Sequence, residues 1–249
     1  DAGSAKLLEH LGFEALATTS LGVANMHGQI GVSKAQVLEN VSAIAAATSL
    51  PVNADLEDGF ATAPGEAAAI IPAAFAAGAV GGSIEDSINL PANRPTDGSL
   101  PILDFGLAVE RVQAAVEAAR QLPIPFMVTA RAEGMLHGQR DLGDIIRRLQ
   151  AFEAAGADVL YAPGLRTIDQ VRQVTAEISK PFNMVMGFAD PSITLEQLAA
   201  AGVQRVSIGG GLSRIALNAM RTAAREMQAG SFTFLPDMIP VTDLHKAFR

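Results

Sequence analysis

Apolar positions along the chain follow two alternating patterns. Segments such as "FGLAVERVQAAVEAARQ" and "LGDIIRRLQAFEAAG" place them at three- and four-residue spacing, the period of amphipathic helices. Between such segments lie short apolar runs, each entered through a joint containing glycine or proline. They are "LGFEALATTS" (Gly12), "LPVNADLEDG" (Pro51), "AGAVGGSIED" (Gly78), "IPFMVTARAE" (Pro125), "AGADVLYAPG" (Gly156), "KPFNMVMGFAD" (Pro181) and "AGVQRVSIGG" (Gly202). Glycine just past a helix and proline soon after one are helix stop signals. Short strands alternating with helices predict βαβ units and a parallel sheet.

Seven strands are visible, and the chain opens directly into the helical pattern "AGSAKLLEHLG". A strand ahead of Asp1 would make eight, the count of a (β/α)8 TIM barrel. The expected organisation is therefore one α/β barrel domain over residues 1–249, with its first strand missing. The rival, a doubly wound open sheet, lacks its commonest signature, because no GxGxxG follows the early strands.

In such a barrel the working residues sit where strands end and βα loops begin. Those ends read "TTS" (18–20), "DLED" (55–58), "SIEDS" (83–87), "TARAE" (129–133), "YAPG", "NMVMG" (183–187) and "SIGGG" (207–211). Acidic residues thus crowd neighbouring strand ends, with an arginine on the next. The long connections follow Ser20, Ser87 and Glu133, and the Pro/Gly/Asn-rich segment 88–104 is expected to be a lid.

Asp55 and Glu57 are two apart, which on a strand puts both on one face, and Glu85 lies on the next strand. Clustered carboxylates repel unless a cation sits among them, and an oxygen-only set suits Mg²⁺, or Mn²⁺. The plainer alternative is helix caps and salt bridges. Asp58, before Gly59, reads as a turn residue. Arg131 follows four uncharged strand residues and needs an anion, either Glu133 or a substrate carboxylate or phosphonate. Ser20 and Gly22 could offer a hydroxyl and N–H groups to an anion, or simply cap a helix. "SIGGG" has the look of a phosphate loop. The four histidines show no metal-ligand spacing, and His137 is expected on the surface.

Composition narrows the function. The chain has 249 residues, 49% hydrophobic, enough for one sizeable core. A net charge of −8 without a basic run argues against nucleic acid or anionic membranes as partners. No apolar run spans a membrane. No signal peptide is visible, although the chain starts at Asp1 without a methionine. Zero cysteines rule out disulfides, thiolate nucleophiles and Cys-ligated metals, and no GxSxG appears. A cytoplasmic location is the default expectation.

"TTS-x-G", "PVNADLEDGF", "GGSIEDS" and "TARAE", in this order and spacing, resemble the phosphoenolpyruvate mutase/isocitrate lyase superfamily, and most of all its short bacterial phosphonomutase-like members. The resemblance implies a (β/α)8 barrel binding Mg²⁺ and a small 2-oxo acid or its enolate, assembled as a dimer or tetramer with the last helix exchanged between neighbours. By position it implies Asp55 as the principal metal carboxylate, with Glu57 and Glu85 beside it. Arg131 would clamp the substrate, aided by Glu133 in catalysis, while Ser20, Gly22 and Asn183 bind the oxo acid. The lyases of this superfamily carry a catalytic cysteine after the "IED" strand. Here "INLPANRPTDGSLPILD" contains no Cys, Lys or His, so isocitrate or methylisocitrate lyase chemistry is not expected. What remains is a Mg²⁺-dependent enzyme that cleaves or rearranges a C–C or P–C bond beside a 2-oxo acid. The alternatives are a degenerate barrel that only binds small acids, and one holding a sugar phosphate at residues 207–211.

Overall fold

The structure, a computed structural model, describes residues 1–88 and 100–249. Its strands are β1 (Leu16–Ala17), β2 (Val52–Asp55), β3 (Gly81–Glu85), β4 (Met127–Arg131), β5 (Val159–Tyr161), β6 (Phe182–Val185) and β7 (Arg205–Ser207). They pair in parallel in sequence order. Helix α1 (Ala2–His10) precedes β1, and α2 (Ser20–His27) and α3 (Lys34–Ala45) precede β2. The β2–β3 crossover holds α4 (Pro64–Ala68) and α5 (Ile70–Ala76). Later crossovers hold α6 (Phe105–Arg120), α7 (Leu142–Ala154), α8 (Ile168–Ala176) and α9 (Leu195–Ala200). After β7 come α10 (Gly211–Gln228) and α11 (Val241–Ala247).

The sheet curls into a nearly closed barrel. Asn25 of α2, which follows β1, donates to Ser213 Oγ of α10, which follows β7, at 3.0 Å. The two ends of the strand sequence are thereby brought together. β7 and β1 are not paired to each other among the described residues.

The predicted joints are physical. Gly12, Gly78, Gly156 and Gly202 all adopt positive φ, the conformation that ends a helix with least strain only for glycine. Alternation then sorts the strand residues. On β4, Val128 and Ala130 join the core beneath the helices, leaving Thr129 and Arg131 to face the barrel interior. Phe152, Leu160, Phe182 and Met184 anchor that core. In contrast, no residue of α10 is buried.

Candidate active site at the strand ends

Arg131 is the hub. At the end of β4, its Nη1 bonds Asp55 Oδ1 at 2.8 Å, Nη2 bonds Glu85 Oε2 at 2.9 Å and Nε bonds Glu133 Oε1 at 2.7 Å. The sequence left Glu133 and an external anion as alternative partners; three protein carboxylates from three strand ends share the guanidinium. Burial works against its charge, but Glu133, Glu85 and Asp55 outweigh that and hold it protonated. Its Cζ lies 5.1 Å from the ring centre of Tyr161, the chain's single tyrosine.

Asp55 is fixed from the other side. The Ser20 N–H, opening α2, donates to Asp55 Oδ2 at 2.9 Å, while Thr18 Oγ1 accepts from the Asp55 N–H at 2.9 Å. The anion met by the start of α2 is therefore Asp55 itself. Gly22 packs tightly there, since a Cβ would approach Thr19 Cγ2 to 2.7 Å. Glu85 also accepts a hydrogen bond from the Ser87 hydroxyl.

Asp55 and Glu57 do not share a strand face, contrary to their spacing. β2 ends at Asp55, and Glu57 lies in a turn with φ 47°, so period-two spacing does not apply. The turn nonetheless keeps Glu57 close to the site. Burial, then the charge of Asp55, pushes its carboxyl up to about 7, against a hydrogen bond from Ser20. Asp58 is the expected turn residue, accepting from the Phe60 N–H at 2.9 Å. Arg111 on α6 clamps this turn by donating to the carbonyls of Asp58, Ala61 and Thr62. Burial likewise pushes Glu85 up, with Arg131 opposing and Glu133 and Asp55 reinforcing. Three carboxylates around one guanidinium leave a surplus of negative charge. Among the described residues, however, no three acids or histidines are gathered around one point at metal-ligand range. Of the three expected metal carboxylates, Asp55 and Glu85 lean on Arg131 instead.

A further layer supports Glu133. Its N–H donates to Asp86 Oδ1 at 2.7 Å, and Asp86 Oδ2 pairs with Arg148 at 3.1 Å. Arg148 also holds Asp144 at 3.0 Å and the Leu103 carbonyl at 3.1 Å. Burial raises Asp86 to about 6. His137 is not on the surface: its side chain is 10% exposed, Nε2 lies 3.8 Å from Glu133 Oε2, and Nδ1 accepts from the Leu100 N–H at 3.0 Å. Burial lowers its pKa, so the ring favours the neutral form that this acceptor role requires. Most of the expected lid at 88–104 lies outside the described residues. At its margins, Ser87 pairs with Ile102 and the Ile88 N–H donates to the Pro101 carbonyl at 2.8 Å.

Asn183 is buried within β6, not at its end. Its Oδ1 accepts from Arg205 Nε at 2.8 Å, and its Nδ2 donates to Ser207 Oγ at 3.1 Å. Arg205 also reaches Thr129 Oγ1 on β4 at 3.0 Å. In the glycine loop after β7, Gly210 packs against Leu21 and the Ser207 hydroxyl is engaged by Asn183. Sequence reasoning missed Tyr161, Arg205, Asp86 and Arg148. The only available signal was a polar or charged residue interrupting an apolar run.

A β/α barrel with an arginine and several carboxylates converging at its strand ends defines the class: a barrel of the enzyme type with an acidic, arginine-centred site. The chain belongs to the phosphoenolpyruvate phosphomutase family, whose model matches residues 1–228. A Burkholderia cenocepacia protein provisionally classed as a lyase/mutase has a crystal structure matching this chain at TM-score 0.93 and 49% identity, over 100% of this chain and 87% of that one. The 2-methylisocitrate lyase of Shewanella oneidensis is 31% identical, over 90% of this chain and 76% of its own. A phosphonopyruvate hydrolase crystallised with oxalate and Mg²⁺ matches at TM-score 0.83 and 25% identity, over 99% of this chain and 87% of that one.

Proposed function

We propose that this protein is a cytoplasmic, Mg²⁺-dependent enzyme that cleaves or rearranges a C–C or P–C bond beside a small 2-oxo acid, by way of an enolate. The observation that carries this reading is the convergence of Asp55, Glu85 and Glu133 on Arg131 at the strand ends, in a chain of this family. Breaking the bond leaves an electron pair on the 2-oxo acid, delocalised onto its oxygen, and positive charge held in place stabilises it.

The donor set fits a hard divalent cation. Asp55, Glu57 and Glu85 offer only oxygens; burial most of all, and then the neighbouring carboxylates, push Glu57 and Glu85 up, and a cation among them would favour their ionised forms. Mg²⁺ keeps several waters and needs only one or two carboxylates, so Asp55 would hold it with Glu57 and Glu85 beside it. When bound, the ion supplies Lewis-acid stabilisation of developing oxygen charge. Arg131, released from part of its carboxylate load, would grip the substrate carboxylate through its planar fork. Ser20 and Gly22, in the first turn of α2 where N–H groups lack intrahelical acceptors, would hold the other end. Asn183 would contribute a side-chain amide, and Glu133 would keep Arg131 aligned. The exposed face of α10 and the segment between it and α11 would be covered by a second copy of the chain.

The test is to incubate the protein with oxaloacetate, phosphonopyruvate and 2-methylmalate-type acids, with Mg²⁺ or EDTA, and to measure the 2-oxo acid released. Metal-dependent pyruvate from at least one is the expected result. Oxalate binding without any turnover would instead favour the acid-binding barrel.

A further inference from the structure

The cysteine-free sequence leaves a proton unaccounted for. When the bond is cleaved and not rearranged, the resulting enolate must be protonated at carbon to leave as a 2-oxo acid, and no thiol is available. We propose that the hydroxyl of Tyr161 is that proton donor; the inference rests on the 2-oxo acid reading above.

The position of Tyr161 follows from strand register. Across three neighbouring strands Arg131 pairs with Tyr161, and Tyr161 with Asn183. Paired residues of parallel strands point to the same side. Arg131 reaches Asp55 across the interior and Asn183 meets Arg205 there, so Tyr161 shares that row. Its ring lies under the Arg131 guanidinium. Packing under a cation needs only the ring, and phenylalanine would serve equally.

The hydroxyl is the surplus feature. Tyr161 is half-buried at the end of β5, so its O–H is open to solvent or to a ligand, and a tyrosine O–H in such a place takes a hydrogen-bond partner when one arrives. Among the described residues no side-chain hydrogen bond of the site is made by the Tyr161 hydroxyl, although Arg131, Glu133, Asp55 and Glu85 all act electrostatically on it. A substrate oxygen or carbanion lying against Arg131 would supply the partner.

The phenol also starts in the protonated form that a donor requires. Burial holds the phenol protonated well above its ordinary range, so it is the neutral donor at neutral pH. Handing its proton to the enolate carbon forms a C–H bond, breaks the O–H bond and leaves a tyrosinate. That anion would be stabilised by the positive charges of Arg131, over the ring, and of Arg205, on which Tyr161 acts electrostatically, until a proton from solvent restores it after product leaves. Arg205 is suited to this: its two hydrogen bonds go to the neutral groups of Asn183 and Thr129, and no carboxylate pairs with it among the described residues.

Microscopic reversibility supplies a test that needs no knowledge of the natural substrate. The group that protonates the enolate must also take a proton from the bound 2-oxo acid. With Mg²⁺ in D₂O, the wild-type protein should exchange the methyl protons of pyruvate, followed by proton NMR. Tyr161→Phe should exchange at least about 100-fold more slowly, the lower range for general acid–base catalysis, while retaining oxalate-induced thermal stabilisation within a few-fold in affinity. Equal exchange rates would overturn the assignment. A wild-type protein that binds oxalate yet leaves the methyl protons untouched overturns the tyrosine's role alone; one that does neither overturns the functional reading beneath it. A second measurement needs no variant. With one tyrosine and no tryptophan, oxalate binding should perturb the near-ultraviolet tyrosine band, and an unchanged band would count against contact with Tyr161.

Discussion

Arg131 and Glu57 carry the most exposed claims at the scale of single residues. Arg131 fixes three carboxylates in different directions, which a lysine ammonium on a flexible stem cannot reproduce. Arg131→Lys should weaken oxalate binding by about 2–5 kcal/mol, roughly 30- to several-thousand-fold by calorimetry. Near-normal affinity would remove the arginine from the substrate site. Glu57 predicts a pH effect. Its folded-state value, about 7 against an ordinary 4.5, means the folded chain holds this proton more tightly than the unfolded chain. Its contribution to stability is therefore full below about 4.5 and lost as pH rises through about 7, by up to about 1.4 kcal/mol per pH unit. In EDTA, Glu57→Gln should flatten that decline in denaturant titrations at pH 5 and pH 8. An unchanged slope would mean that the buried proton resides elsewhere.

Elements show what was legible in the sequence and what was not. Joints were legible because glycine and proline act locally: the four glycines at the joints turn left-handed wherever a helix must end. The split between α4 and α5 is local too, since Pro72 lacks the N–H that would bond back to residue 68. Asp55, Glu85, Arg131 and Glu133 were legible because polar residues at the end of apolar runs stand out, and the structure brings these four together. Glu57 was reached by a wrong route: Asp58 and Gly59 announce a turn, but nothing local says that β2 already stops at Asp55. Tyr161 and Arg205 needed the register of β4 to β7, which is set by long-range pairing, and Asn183 was reached only through the family resemblance. The clamp between α6 and the turn after β2 is long-range in the same way, and gives a prediction at this scale. Arg111 satisfies three carbonyls there, while its own Nε is buried without a partner among the described residues. Arg111→Met should lower stability by about 2–4 kcal/mol in urea and loosen the turn bearing Glu57. A loss below about 0.5 kcal/mol would show that the turn holds itself.

For the whole molecule, the distribution of apolar surface is uneven. α10 has no buried residue, and its helical spacing gathers Leu212, Ile215, Met220 and Met227 on one side. Ile215 and Met220 are 66% and 63% exposed. Phe232, Leu235, Met238 and Ile239 extend the exposed surface, whereas the last helix, α11, returns to its own chain, with Lys6 Nζ donating to the Phe248 carbonyl at 2.9 Å. An apolar face of this kind on an acidic protein is suited to a second copy of itself. Light scattering at micromolar concentration should give a dimer or tetramer, and Ile215→Asp with Met220→Asp should dissociate it. A wild-type monomer would contradict this.

The central claim is that the strand ends form an enolate site in which oxygen ligands, a divalent cation and Arg131 act together. Oxalate, a planar stand-in for the enolate of pyruvate, tests it most directly. Its effect on melting temperature should be followed in Mg²⁺, in Zn²⁺ and in excess EDTA, for the wild-type protein and for Asp55→Asn. The expected result is stabilisation in Mg²⁺, little in Zn²⁺, none in EDTA, and a shift in Asp55→Asn that only excess Mg²⁺ begins to restore. An equal shift with and without metal would contradict the account.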